Sequence, residues 1–267
     1  GQIKNATSRS YSVKSTLNAE LFPWLTFRGY AYGSVSKSHS NGFGFNDFIG
    51  YSPIMYAQDE DGVFLKDPYA SIFANPGSDL WGDNRDNKSG SFQGYANFTF
   101  KILPELTFSS EGLYTDNHSR YGRFTTSKQT PGDSATGSFQ SNQSYSWRNI
   151  NTLNYTNDFG DHHVNLTAAF ELTQSKSSYT SISGDGLDNE ALTYWNMSAF
   201  NSNGVLNGFS NSGMVSWICR AVYSYQGKYS ATATIRADAA SQFRDKYKWG
   251  YFPSLAVAWN AEKEDFI

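Results

Sequence analysis

The feature that most limits how this chain can fold is an alternation of apolar and polar residues, repeated over long stretches. One stretch places these apolar side chains at every second position: Val164, Leu166, Ala168, Phe170 and Leu172. The residues between them include Asn165, Thr167 and Glu171. Successive side chains of a β-strand point to opposite faces of the sheet. The pattern therefore predicts ribbons with one apolar and one polar face.

The order of the connections predicts how these ribbons are joined. Nine strands are predicted, at about 9–22, 25–37, 88–103, 106–121, 144–156, 162–179, 214–225, 229–240 and 250–260. Tight turns, as at Pro23-Trp24 and Pro104-Glu105, alternate with longer connections, of which 38–87 and about 180–212 are the longest. A medium loop holds Pro131-Gly132-Asp133, and a short helix is predicted at 189–199, capped by Asp188 or Asn189. This alternation indicates an antiparallel up-and-down meander.

Strand length and composition favour a large barrel in a membrane. Several predicted strands have about 13 to 17 residues, whereas typical strands have about 5 or 6. A tilted membrane strand needs about 9 to 11 residues to cross the hydrocarbon. Aromatic residues make up 17% of the 267 residues, yet the mean hydropathy is −0.55 and no apolar run could form a membrane helix. The predicted fold class is all-β: an antiparallel meander that forms part of a large transmembrane β-barrel with long extracellular loops.

The two faces of the predicted strands differ in charge. Small and apolar side chains are assigned to the lipid face, among them Phe27, Gly29, Ala31, Phe92, Phe98, Ala231 and Ile235. The opposite face carries Arg28, Lys101, Glu111, Arg148, Glu171, Arg220, Arg236 and Asp238. A charge that faces lipid near the midplane costs about 2 to 4 kcal/mol, so this separation is expected of a water-filled interior. A soluble β-sandwich would also have one hydrated face, and that alternative stays open here.

The most specific motif lies near the end of the chain. It combines Arg236, Asp238, Ser241 and Phe243 with the run WGYFPS at 249–254 and Trp259. This stretch resembles the signature of SusC/RagA-like TonB-dependent transporters of Bacteroidetes outer membranes. The chain departs from the signature at Ala240, where that family usually has glycine or serine before Ser241.

The resemblance implies a fold, a location and partners. It implies that residues 1–267 are a middle segment of a barrel of about 22 strands, without the plug, the TonB box or the final strand. It further implies import of glycans or other nutrient oligomers across the bacterial outer membrane. The implied partners are a SusD-like lipoprotein lid, an oligosaccharide or peptide ligand, the lipid bilayer, and the TonB–ExbB–ExbD motor acting through the missing N-terminal region. A net charge of −3 argues against nucleic acid as a partner.

Side chains in the two longest loops are the best candidates for ligand contact. The predicted ligand-binding residues are Asp79, Trp81, Asn84, Tyr194, Trp195 and Asn196. A sugar has an apolar C–H face rimmed by hydroxyls, which aromatic rings and nearby amides or carboxylates complement. The alternative is that these rings pack the loops against each other, as buried aromatics commonly do.

No arrangement typical of catalysis or of a metal centre is present in the sequence. It lacks a nucleophile elbow and a Gly-rich phosphate loop. His162 and His163 are adjacent on a strand and so point to opposite faces. The acidic turns at 59–62 and 185–190 lack the full ligand spacing of an EF-hand. We therefore predict no enzyme activity, no cofactor and no metal. Two non-enzymatic alternatives remain: a secreted or surface carbohydrate-binding β-sandwich, and a passive porin.

Overall fold

The chain forms a single antiparallel sheet in which nine strands follow one another in sequence order. The computed structural model describes residues 6–42, 49–52, 54, 56–65, 75–129, 134–244 and 247–264. The strands are β1 Thr7–Phe22, β2 Leu25–Asn41, β3 Asp83–Leu103, β4 Leu106–Thr125, β5 Thr136–Phe159, β6 His162–Asp185, β7 Ser202–Tyr225, β8 Tyr229–Ala240 and β9 Trp249–Trp259. This order confirms the predicted up-and-down meander.

The strands extend further on the side of the long connections than the alternation predicts. β5 begins at Thr136 instead of about residue 144, and β6 continues to Asp185. The pairing of these two strands is unbroken from Thr136 opposite Asp185 to Phe159 opposite His162. These outer ends are rich in serine, asparagine and glycine, so both of their faces are polar and the period-two signal disappears. Backbone hydrogen bonds to both neighbours maintain the strands where the sequence pattern does not reveal them.

The connections contain little helix. The predicted helix at 189–199 is instead two 3₁₀ segments, Glu190–Trp195 and Met197–Ala199, and the first is interrupted at Thr193, which has a φ of 49°. The predicted cap is present, since Asn189 Oδ1 accepts from the Ala191 N–H at 3.3 Å. An unforeseen helix, α1 (Pro76–Gly82), follows Asn75, which caps it. The predicted loop motif Pro131-Gly132-Asp133 lies outside the described residues.

The register joins the apolar sides of all nine strands into one surface, here called the apolar face. One row of directly opposed residues runs Phe22, Leu25, Phe100, Phe108, Leu153, Ala168, Cys219, Ile235 and Pro253. The other side of the sheet is here called the polar face. A slip of one residue in any strand would exchange its two faces, so the apolar pattern itself fixes the register.

The apolar face is open over its whole extent. Phe98, Leu166 and Ile235 are 38%, 45% and 49% exposed, and in the described residues no second sheet covers them. A β-sandwich would bury these side chains between two layers. Among the described residues, the one cluster of buried apolar side chains lies at the outer strand ends and in the connection beyond them: Phe124, Ala135, Leu187, Tyr194 and Phe200. The sheet is therefore a single curved wall. None of the described helices is long and apolar enough to cross a membrane.

Candidate functional site

Ion pairs cross the polar face at the level of the apolar rows on the other side. Glu111 accepts a hydrogen bond from the Tyr95 hydroxyl at 3.1 Å and pairs with Arg148 at 3.2 Å. Arg236 pairs with Asp238 at 2.8 Å. The register places all five on the polar face, as predicted for the charged side chains. These charged side chains thus lie on the side of the sheet away from the apolar face.

Further out, the polar face changes from charges to hydroxyls and amides. One row of opposed residues runs Ser10, Ser36, Ser89, Ser119 and Asn142. The Ser36 and Ser89 hydroxyls are 2.7 Å apart, and the Asn142 amide donates to Ser119 Oγ at 3.4 Å. The polar face forms a shallow hollow of about 460 Å³ here, with Tyr179 at one side. Neutral donors and acceptors on an open wall suit a hydroxylated or amide-containing ligand.

A buried carboxylate lies at the outer end of β3. Asp83 is 1% exposed and accepts from Arg85 Nη2 at 2.6 Å and Arg123 Nη2 at 2.9 Å. Burial alone would raise the pKa of Asp83, but the hydrogen bonds and positive charge of the two arginines outweigh it and lower that pKa below the usual value. Arg123 also borders a second hollow, of about 400 Å³, beside Ser138 and Ser183. Two guanidinium groups share one carboxylate, so a net positive charge faces this hollow.

Three of the predicted ligand-binding residues lie on or next to α1. Asp79 Oδ1 accepts from Gln129 Nε2 at 3.0 Å, which ties α1 to the end of β4. Trp81 is 51% exposed. Asn84 follows α1 in β3, opposite Asn41 and Phe124, on the side that continues the apolar face. Asp79 thus has a structural partner, and the Trp81 side chain is open to solvent.

The other three lie in the segment 187–201, here called the outer strap. Tyr194 is buried over Gly122, and its hydroxyl donates to Asp86 Oδ2 at 2.7 Å. Burial and this hydrogen bond raise the pKa of Tyr194. Trp195 is 67% exposed, and Asn196 Oδ1 accepts from Ser198 Oγ at 2.7 Å.

The contact with Gly122 shows on which side the strap lies. Gly122 belongs to the side of the sheet that continues the apolar face, so the strap covers the outer side. It does not cover the hollow of about 460 Å³ beside Ser89 and Ser119, here called the serine hollow. Tyr194 therefore packs this loop, as the alternative interpretation of the aromatics proposed, whereas Trp195 stays accessible. A ligand role for these six residues remains a prediction.

Comparison with known proteins shows what the chain is similar to. No protein-family model matches the chain. TonB-dependent receptor P26 of Formosa agariphila is 27% identical over an alignment that covers 100% of this chain and 28% of that protein. TonB-dependent receptor SusC of Bacteroides thetaiotaomicron is 41% identical over 54 residues, 20% of this chain and 5% of that protein. The structure of the RagAB peptide transporter matches 98% of this chain and 31% of that chain, with a TM-score of 0.77 and 14% identity.

These similarities support a barrel segment of a SusC-like TonB-dependent transporter. Its place is the outer membrane, so the apolar face meets lipid and the polar face lines the interior of the barrel. The chain spans less than a third of the length of the relatives matched over most of its residues. These relatives are named as receptors, which agrees with the prediction that the segment catalyses no reaction.

The serine hollow of this transporter segment was missed from the sequence. Its signal is weak, because Ser36, Ser89 and Ser119 lie near the ends of predicted strands, where serine is common and the alternation of apolar and polar residues fades. The informative feature is the register. Only when β2, β3 and β4 are aligned do Ser36, Ser89 and Ser119 fall in one row.

Proposed function

We propose that this segment forms the wall and part of the outer vestibule of an importer that carries glycans or peptides. The observation that carries the proposal is the continuous row of hydroxyls and amides on the inner wall, beyond the membrane level. Oligosaccharides and peptides both present many neutral hydrogen-bonding groups. A wall of serine and asparagine side chains binds such groups weakly at many points, which favours passage over tight retention.

Two exposed tryptophans extend this proposal to the loops. Trp81 and Trp195 are both more than half exposed. Aromatic rings lose little conformational entropy on binding and stack on apolar sugar or side-chain surfaces. With Asp79, Asn84, Tyr194 and Asn196, they form the loop part of the proposed ligand surface. In this proposal Tyr194 acts by positioning Trp195, with which it is in ring contact at 4.9 Å between centroids.

The energy source and the lid belong to parts of the machinery beyond this segment. We propose that the complete protein is coupled to TonB–ExbB–ExbD through its N-terminal region and pairs with a SusD-like lipoprotein. Ligand would be held between the loops, the plug and the lid, and released inward when TonB displaces the plug. The segment itself contributes a passive surface.

A nutrient-dependence experiment tests this proposal. The gene for the full-length protein is deleted, and growth is measured on a panel of oligosaccharides, peptides and their monomers as sole nutrients. We expect growth to fail on one class of oligomer and to continue on its monomer. Growth on every oligomer without the gene would contradict the proposal.

Complementation of the deletion strain then tests whether the serine hollow lies on the import path. Ser119→Trp places a bulky ring in the inner hollow, whereas Thr180→Trp places the same ring on the outer side of the sheet. We expect the first variant to slow growth on the oligomer and the second to restore it fully. Equal growth of the two strains would show that the serine hollow is not on the import path.

A further inference from the structure

Four basic side chains form a straight line across the outer side of the sheet. Arg9 lies opposite Lys37, Lys37 opposite Lys88, and Lys88 opposite Arg120. They belong to β1, β2, β3 and β4 in turn, and all four are exposed. Since neighbouring strands lie about 4.8 Å apart, this cation row is about 15 Å long.

The height of the row relative to the membrane follows from the strands themselves. On β2 the apolar face runs from Leu25 to Val35, which is about the 9 to 11 residues that a tilted strand needs to cross the hydrocarbon. Lys37 is the next residue on that face. On β3 the same face runs from Phe100 to Gly90, and Lys88 follows. The row therefore lies just outside the hydrocarbon, on the side of the long loops.

The four side chains of the cation row point outward, and this direction is specific to their height just outside the hydrocarbon. The adjacent row on the inner side consists of Ser10, Ser36, Ser89 and Ser119. Deeper in the membrane-spanning part, beyond the row of Phe92 and Asp116, Glu111 and Arg148 point inward instead. Simple exposure to water would put charge on both faces here, because both are wet.

One protein anion, Asp86, lies close enough to Lys37 to interact with it electrostatically, but it forms no ion pair with the row. Among the ion pairs of the described residues, none involves Arg9, Lys37, Lys88 or Arg120. On the same side of the sheet, Asp86 is occupied by His39 at 2.9 Å and by the Tyr194 hydroxyl. Asp116 lies two rows deeper, opposite Phe92, within the span assigned to the hydrocarbon. Arg120 contacts the rings of Phe139 and Trp195.

Four like charges directly opposite one another destabilise a sheet unless an anion neutralises them. We propose that the cation row binds the phosphate groups of glycolipid headgroups in the outer leaflet of the membrane. Lysine and arginine are the usual phosphate donors of proteins. The row lies on the lipid side of the barrel and level with the headgroups. The membrane itself therefore supplies the anion that neutralises the row.

Binding of purified lipopolysaccharide to the full-length protein in detergent tests the proposal. The test variant is Lys37→Gln/Lys88→Gln/Arg120→Gln. The control variant, Lys101→Gln/Arg220→Gln/Lys263→Gln, removes the same charge elsewhere. Native mass spectrometry measures retained lipid, and the rise in Tm on adding lipid gives the apparent affinity. We expect at least about tenfold weaker binding by the test variant and unchanged binding by the control.

Two further arms identify the source of the phosphate. The first arm measures binding of chemically dephosphorylated lipopolysaccharide to the wild-type protein. We expect this binding to be as weak as that of the intact lipid to the test variant. In the second arm, inorganic phosphate at equal concentration is expected not to raise the Tm of the wild-type protein. Equal binding of intact and dephosphorylated lipid, or equal binding by wild type and test variant, would overturn the proposal. So would a rise in Tm with inorganic phosphate alone that matched the lipid. If the triple variant does not fold, Lys88→Glu is measured instead, with the same expected direction.

Discussion

At the scale of single residues, the Tyr194 hydroxyl and the Glu190 carboxylate, which accepts from the Ser127 N–H at 2.9 Å, both attach the outer strap to the rest of the protein. The Tyr194 hydroxyl donates to Asp86, a carboxylate that also contacts His39. We expect Tyr194→Phe to weaken this attachment by about 1.5 to 3 kcal/mol, the usual value of a hydrogen bond to a charged group. Hydrogen exchange of the full-length protein should then become faster within 187–201 only. Tyr179→Phe, on the opposite side of the sheet, should leave exchange in this segment unchanged. Unchanged exchange in Tyr194→Phe would contradict the assigned role.

Asp83 provides a residue-scale prediction about pH. The pKa of Asp83 is lower in the folded protein than its usual value of about 3.9. Its stabilising contribution is therefore fully present above that usual value and is lost as pH falls through the lower, folded-state pKa. At neutral pH, Asp83→Asn should exchange amide hydrogens faster in α1 and at the start of β3.

The difference between Asp83→Asn and the wild type should narrow as pH falls through the usual range of a carboxyl pKa and vanish below the lower, folded-state pKa, since the protonated wild-type side chain is also neutral. Arg85 and Arg123 remain charged throughout this range, so the change with pH reports on the carboxylate. A difference that stayed constant from neutral to strongly acid pH would show that the ion pairs contribute little.

At the scale of elements, β5 tests the assignment of the two faces. Leu153 lies on the apolar face between Phe108 and Ala168, and Thr152 lies on the polar face between Ser109 and Ala169. Leu153→Arg should destabilise the barrel by about 2 to 4 kcal/mol if it lies near the midplane, and by less near an interface. Thr152→Arg, one residue away, should cost little, because it enters a hydrated surface that holds Glu111 and Glu171. Urea unfolding in lipid vesicles measures both, and equal costs would contradict the assignment.

The parts of the strands that cross the membrane were predictable, whereas their outer ends were not. Alternation identifies β8 at its observed bounds because one face must be apolar where it meets lipid. Outside the membrane that constraint ends, so residues 202–213 of β7 were assigned to a loop although they pair with β6 throughout. The helix α1 was missed because seven residues are too few to show a helical period.

The candidate site was predictable only in part. The exposed tryptophans were correctly identified as loop residues, but the burial of Tyr194 depends on Gly122, which is distant in sequence. A sequence pattern within one strand holds no information about what a loop will cover. The serine hollow and the cation row likewise appear only when the register of several strands is known.

At the scale of the whole molecule, one sheet separates two environments, and its polarity changes with height. Within the membrane the outer side is apolar and the inner side is charged. Above it, the outer side carries the cation row and the inner side carries hydroxyls. This arrangement matches a barrel wall that contacts acyl chains, then headgroups, while its inner surface guides a neutral polar ligand. No second layer is needed to bury the apolar face, because lipid covers it.

Spin-label accessibility in native outer membranes tests this central claim most directly. Single cysteines replace Phe98, Leu166 or Ile235 on the apolar face, and Asn97, Thr167 or Thr234 on the polar face, in a cysteine-free full-length protein with Cys219→Ser. Labels on the apolar face should collide with dissolved oxygen and be shielded from a water-soluble nickel chelate. Labels on the polar face should show lower oxygen accessibility. The claim that the apolar face meets lipid would be contradicted if the labels of both sets were equally shielded from oxygen, as they are within a protein core.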